Sequence, residues 1–152
     1  MRYQLVAIGR LRRGFYQSAC EHYQKRLEPY AKFDLVELKE SRAADSEMVR
    51  TQESEALLKA ASGRLIVLDE RGEQHRSQEL AARISALELR GISQISLIVG
   101  GAEGLSDDLR RRADERWSLS QLTLPHELAR LLLLEQLYRL ETIRAQHPYH
   151  RE

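Results

Sequence analysis

Ile95-Ser96-Leu97-Ile98-Val99-Gly100-Gly101-Ala102-Glu103-Gly104 is the stretch that decides the fold. Its first half is a short apolar run without polar alternation, the mark of a strand covered on both faces. Its second half places glycines just past that strand. Glycines there let a ligand approach the backbone at the carboxyl edge of a parallel sheet, and a tight strand-to-helix turn accounts for them equally well. The spacing is neither the G-x-G-x-x-G dinucleotide fingerprint nor the G-x-x-x-x-G-K-[ST] phosphate loop. The glycines also follow a late strand, whereas the first strand is followed only by Gly9, which argues against an ordinary nucleotide fold.

Outward from this stretch, strands and helices alternate. Leu65-Ile66-Val67-Leu68 is a second buried-strand run, and Ser77 to about Leu89 reads as the helix between the two, ending at Gly91. Upstream, Tyr3 to Ile8 reads as a strand and Gly14 to about Tyr30 as a helix with Phe15, Ala19, Tyr23 and Leu27 on its inner face. Next come a strand from Phe33 to Leu38 and a helix from about Ser46 to Ala61, capped by Asp45 or Ser46 and closed by Gly63. Downstream, a helix starts near Ser106, a short strand lies near Trp117 to Leu119, and Pro125 opens the last helix as its first residue. The alternation predicts an α/β fold, a parallel sheet flanked by helices.

The chain has 152 residues, enough for one domain, and 42% hydrophobic against 31% charged residues, the balance of an ordinary globular protein. No apolar run reaches a membrane span, and Met1-Arg2-Tyr3-Gln4 lacks a signal-peptide core, so a cytoplasmic protein is expected. Cys20 is the only cysteine, which excludes an internal disulfide, and its spacing with Tyr16, Tyr23 and Leu27 marks a small buried residue. The net charge of +1 neither favours nor excludes a nucleic-acid partner. Arg10, Arg12 and Arg13, and separately Arg110, Arg111 and Arg112, form local basic clusters that each also read as solvated faces.

Three further features carry chemistry. Ser118-Leu119-Ser120-Gln121-Leu122-Thr123-Leu124-Pro125-His126 is an apolar, hydroxyl-bearing turn able to offer backbone groups to a flat heterocycle, or simply a loop and a helix start. The final helix carries Leu128, Leu131, Leu132, Leu133, Leu134, Leu137, Tyr138, Leu140 and Ile143 over more than one face, from which a second subunit is expected. His147-Pro148-Tyr149-His150-Arg151-Glu152 then concentrates imidazole, phenol and guanidinium where chains usually end in inert tails. His147 and His150 lack a third ligand, so no metal site is expected. The serines have no nucleophile-elbow context, and His22 and His75 read as surface residues.

Taken together, the YQLVAIG start, the late glycine loop, the LTLPH turn, the leucine-rich helix with Leu134-Glu135-Gln136-Leu137-Tyr138-Arg139 and the terminal HPYHRE resemble one family over the whole chain. It is the small bacterial SPOUT-class methyltransferases, which methylate N3 of a pseudouridine in 23S rRNA of the large ribosomal subunit. The resemblance implies a SPOUT-type α/β knot, its C-terminal segment threaded as a trefoil knot, and a homodimer. It implies S-adenosyl-L-methionine as cofactor, held by Leu68, Gly100, Gly101 and Leu119, Ser120, Gln121, Leu122, Thr123 and Leu124. Removing the imide proton calls for a base or a polarising cation. On this resemblance His150 is the candidate base, Arg151 stabilises charge or holds phosphate, and Tyr149 stacks on or orients the pyrimidine. The competing readings are a non-catalytic ribosome-assembly factor and a general α/β ligand-binding domain without an RNA partner.

Overall fold

A computed structural model describes residues 1–151, the side chains of His150 and Arg151 excepted. The strands β1 (Arg2–Ile8), β2 (Lys32–Leu38), β3 (Arg64–Glu73), β4 (Gln94–Val99) and β5 (Glu115–Trp117) form one parallel sheet in the order β2-β1-β4-β3-β5. The helices are α1 (Gly14–Leu27), α2 (Ser46–Ala60), α3 (Ser77–Leu89), α4 (Asp107–Arg112) and α5 (His126–Arg144), followed by a 3₁₀ turn at Pro148–Arg151.

The period of two along β1 sorts the core into layers. Tyr3, Leu5 and Ala7 pack with Leu27 of α1, Ile84 of α3 and Leu133, Leu137 and Leu140 of α5. Val6 and Ile8 pack on the opposite face with Leu57 of α2 and Leu109 of α4. Crossovers that step toward β2 carry α1 and α3, and those that step toward β5 carry α2 and α4, so all share one hand, as parallel crossovers require. Every strand therefore ends on the same edge, where the loops after β1, β3, β4 and β5 gather.

Several boundaries differ from the sequence reading for identifiable reasons. β3 runs on to Glu73 through polar residues, because its far end pairs with Trp117 after a register shift. β5 occupies Glu115–Trp117 rather than Trp117 to Leu119; an edge strand needs no apolar run, and Glu115 instead pairs with Arg64 at 2.8 Å and Arg83 at 3.1 Å. α1 stops at Leu27, where Tyr30 N–H turns back onto the Leu27 carbonyl, and Pro125 precedes α5 as its cap. Phe15 is not on the inner face of α1: it is 62% exposed, while Cys20 and Leu27 are buried. His75 is not a surface residue either, since it packs edge-on against Trp117.

α5 is fixed by two buried polar ties that apolar periodicity does not reveal. Arg130, fully buried, donates to Glu37 Oε2 at 2.7 Å and to the Gly9 carbonyl at 3.3 Å, holding the start of α5 to the ends of β1 and β2. Near its other end Glu141 accepts from the Tyr3 hydroxyl at 2.5 Å and from Arg144 at 2.6 Å. Burial, then the Glu141 charge, pushes the Tyr3 phenol well above its ordinary pKa, so it remains a donor. The leucines from which a second subunit was expected are largely covered within one chain. Leu133, Leu134, Leu137 and Leu140 are buried as α5 lies against the sheet between α1 and α3, which leaves only Leu128, Leu131 and Leu132 half-buried.

Candidate active site

The middle of β3 and the loops leaving β4 and β5 meet the first turn of α5 around a cleft of about 370 Å³, within the roughly 300–1,000 Å³ usual for small-ligand sites. Leu68, Gly100, Gly101, Leu119, Ser120, Leu122, Thr123 and Leu124 all line it, although they come from three separate stretches of chain. Gln121 is exposed and does not line the cleft. Asp69, Glu70 and Ala129 join the wall without having been singled out from the sequence, and Arg110 of the second basic cluster and His126 at the end of the 118–126 turn join it too. Asp69 and Glu70 had one available signal, their place directly after the apolar run Leu65 to Leu68, because ligands of α/β sheets bind beyond the ends of such runs.

Local chemistry shapes each wall. The turn after β5 is held by its own hydroxyls: Ser118 Oγ donates to the Ser120 carbonyl at 2.8 Å, and Ser120 Oγ accepts from Leu122 N–H at 3.0 Å. Thr123 Oγ1 donates across the cleft to Glu70 Oε2 at 3.1 Å. In the glycine loop, Gly104 has φ +80° and donates to the Gly101 carbonyl at 3.0 Å, which makes a tight turn that a side chain would strain. The other two glycines are needed for a different reason. A Cβ on Gly100 would sit 2.8 Å from Leu105 Cδ2, and one on Gly101 would sit 2.8 Å from Glu53 Oε1 and 3.1 Å from Ile8. Both crowded directions face the protein, so these glycines press the loop onto α2 and β1 and leave its backbone bordering the cleft.

The electrostatics separate an apolar floor from a charged rim. Leu68, Val99, Leu105 and Leu119 supply flat apolar surface, and Leu122, 74% exposed, stands at the mouth. On the rim, Asp69 accepts from Arg110 Nε at 2.8 Å and from the Arg71 amide at 3.1 Å. Burial alone would raise the Asp69 pKa, but the Arg71 amide and the Arg110 guanidinium outweigh it and hold the carboxyl below the usual range. The rim thus carries a permanent, internally neutralised pair. Among the described residues no group of His, Cys, Asp and Glu is arranged to hold a metal ion.

The terminal residues are placed elsewhere in the same chain. The Tyr149 hydroxyl lies 3.2 Å from Glu135 Oε1, and its ring packs 4.6 Å from the Tyr138 ring with the Arg26 and Arg139 guanidinium groups over it. Burial, then the Tyr23 hydroxyl and Glu135, pushes its phenol up to about 12, so Tyr149 is a donor and not a base near neutral pH. Glu135 and the cleft-lining His126 are separated by about 14 Å of helix. Tyr149 therefore lies back along α5, and none of the described residues that line the cleft comes from beyond Ala129. The side chains of His150 and Arg151 lie outside the described residues.

A family model described as "Predicted SPOUT methyltransferase" matches residues 1–150. The chain belongs to the SPOUT methyltransferase family. Members similar to it over nearly their whole length are named Ribosomal RNA large subunit methyltransferase H. The protein of Gloeobacter violaceus is 46% identical over 152 residues, 99% of each chain. That of Anaeromyxobacter sp. (strain Fw109-5) is 46% identical, covering 99% of this chain and 100% of the relative. That of Desulfitobacterium hafniense (strain DSM 10664 / DCB-2) is 38% identical, covering 97% and 98%. Among solved structures, a probable methylase family protein from Haemophilus influenzae Rd KW20 shares the fold with a TM-score of 0.54 at 12% identity, over 97% of this chain and 69% of that one.

Proposed function

We propose that the protein transfers a methyl group from S-adenosyl-L-methionine to N3 of a pseudouridine in 23S rRNA, acting on the ribosome in the cytoplasm as a homodimer. The observation that carries this reading is the convergence of Leu68, Gly100, Gly101 and the 119–124 turn on one cleft. The donor set suits the cofactor: leucines for the faces of a purine, backbone groups of a hydroxyl-braced turn for its polar edge, and carboxylates near a cationic sulfonium. Bound there, the cofactor supplies an electrophilic methyl group, whose bond to sulfur breaks as the bond to nitrogen forms. The chain's own groups align the partners and manage the proton that N3 must lose.

In this reading His150 accepts that proton, and Arg151 steadies charge on a pyrimidine carbonyl or holds phosphate. The Tyr149 contacts suit an orienting role, fixing the tail so that the two residues after it are presented. Because that tail docks along α5, away from its own cleft, the tail of one copy completes the cleft of the other. Threading of the C-terminal segment as a trefoil knot belongs to the same reading; α5 leaves directly from the turn that walls the cleft and lies between α1 and α3, which supports it.

The test uses ribosomes from cells lacking the enzyme, incubated with the protein and labelled S-adenosylmethionine. Mass spectrometry of the nucleosides is expected to find N3-methylated pseudouridine from 23S rRNA. Cofactor and ribosome binding without transfer would instead make the protein a non-catalytic assembly factor. Gly101→Val is expected to lower S-adenosylmethionine affinity at least about tenfold in calorimetry, because the branched side chain meets Glu53 and Ile8 and pushes the loop into the cleft. Unchanged affinity would leave the glycine loop as a turn only.

A further inference from the structure

We propose that the loop after β1, Arg10 to Phe15, is a docking platform for single-stranded rRNA beside the target nucleotide. Phe15 stacks on an unpaired base, and Arg10, Arg12 and Arg13 hold the flanking phosphates. This rests on the proposed rRNA substrate and adds the surface that would receive it.

Phe15 is a phenylalanine for which the fold has no use. It is 62% exposed at the start of α1, with Tyr16 4.5 Å away and the Arg13 guanidinium 6.0 Å from its ring centroid. An exposed aromatic ring edged by guanidinium groups is the composition that binds unpaired bases without reading sequence. Between Gly9 and Phe15 the chain carries three arginines and no acid. Arg12 reaches Glu40 at 2.8 Å, but both side chains are more than half exposed, so a phosphate can replace that carboxylate at little cost. The guanidinium groups of Arg10 and Arg13 make no ion pair among the described residues, the Arg13 group lying by the Phe15 ring.

The platform is pre-built and adjacent to the chemistry. Glu127 Oε1 accepts from the Arg12 amide at 3.3 Å and Oε2 from the Arg13 amide at 3.5 Å, which pins the loop to the first turn of α5. The neighbouring His126 lines the cleft, and Ile8, at the end of β1, packs against the glycine loop. The buried Arg130 grips the Gly9 carbonyl from below. A base methylated on N3, a nitrogen of its pairing edge, must be unpaired at that moment, so its neighbours in the strand are available for stacking.

The experiment measures methyl transfer and direct binding against increasing concentrations of large ribosomal subunits from cells lacking the enzyme. Phe15→Ala is expected to raise half-saturation about tenfold, while maximal rate and S-adenosylmethionine affinity stay within about twofold, and Phe15→Trp is expected to restore wild-type binding. Arg10→Gln with Arg13→Gln is expected to flatten the dependence of log affinity on log salt by about 0.7 unit for each arginine, the value for a single strand. Unchanged half-saturation in Phe15→Ala overturns the platform, as does a shift in its sedimentation, which would make Phe15 a protein contact. If the wild-type protein binds subunits but transfers no methyl group, the proposed function fails while the binding series still decides the platform.

Discussion

Deleting Tyr149 to Glu152 is expected to lower methyl transfer by about 10²-fold or more, with S-adenosylmethionine affinity unchanged. The cleft is walled by residues between Leu68 and Ala129, and Tyr149 lies along α5 against Glu135 and Tyr138, so the deletion removes nothing from the cofactor walls. Mixing is the sharper measurement. Tail-deleted chains combined with Gly101→Val chains, each impaired alone when S-adenosylmethionine is limiting, are expected to gain activity when subunits exchange, since one type supplies an intact cleft and the other an intact tail. Failure of mixtures to regain activity, with subunit exchange demonstrated, would mean that each tail serves its own cleft after leaving its dock. Normal turnover of the tail-deleted protein would remove the tail from the reaction. A further distinction concerns His150→Ala: a shifted pH dependence of single-turnover transfer marks a base, and a slower rate with the same profile marks positioning.

Much of the fold was legible because the decisive strands are buried on both faces. Ile66, Val67 and Ile95 to Val99 are buried and Leu65 and Leu68 half-buried, so a plain apolar run identifies both strands, and the glycines beyond mark the edge where loops gather. What was hidden was polar or tertiary. β5 is an edge strand made of Glu115, Arg116 and Trp117, whose pairing rests on ion pairs with Arg64 and Arg83 that lie far off in sequence. Arg130 reads as an interruption of a leucine helix, and only the fold shows it clamping Glu37 and Gly9. Phe15 sits at helical spacing with Leu27, yet only Leu27 of the two belongs to the core, and Phe15 is left 62% exposed in the first turn of α1. For the cleft, the turn and the glycine loop were readable as motifs, but their meeting with Asp69 and Arg110 depends on strand order. The reason for Gly100 and Gly101 also changed: they are small to fit against Leu105, Glu53 and Ile8.

The same distinction governs the leucines of α5, and Leu133→Glu is expected to destabilise the folded chain itself. Leu133 is 1% exposed within the core layer that includes Leu5, Leu97 and Val99, where a carboxylate would have no partner. The loss is expected to reach at least about 3 kcal/mol, from the missing apolar packing and the buried charge together, or a fall in melting temperature of about 10 °C at every protein concentration. Leu132→Glu makes the opposite prediction. Leu132 is half-buried by its own chain, so a carboxylate there can reach water in a monomer but not at a subunit contact. Its melting temperature should lose the dependence on protein concentration that association confers, and its sedimentation should move to that of a monomer, because only the associated state is penalised. A Leu132→Glu protein that stays dimeric would put the subunit contact on another face, and a Leu133→Glu protein that melts like the wild type would contradict the packing of α5 against the sheet.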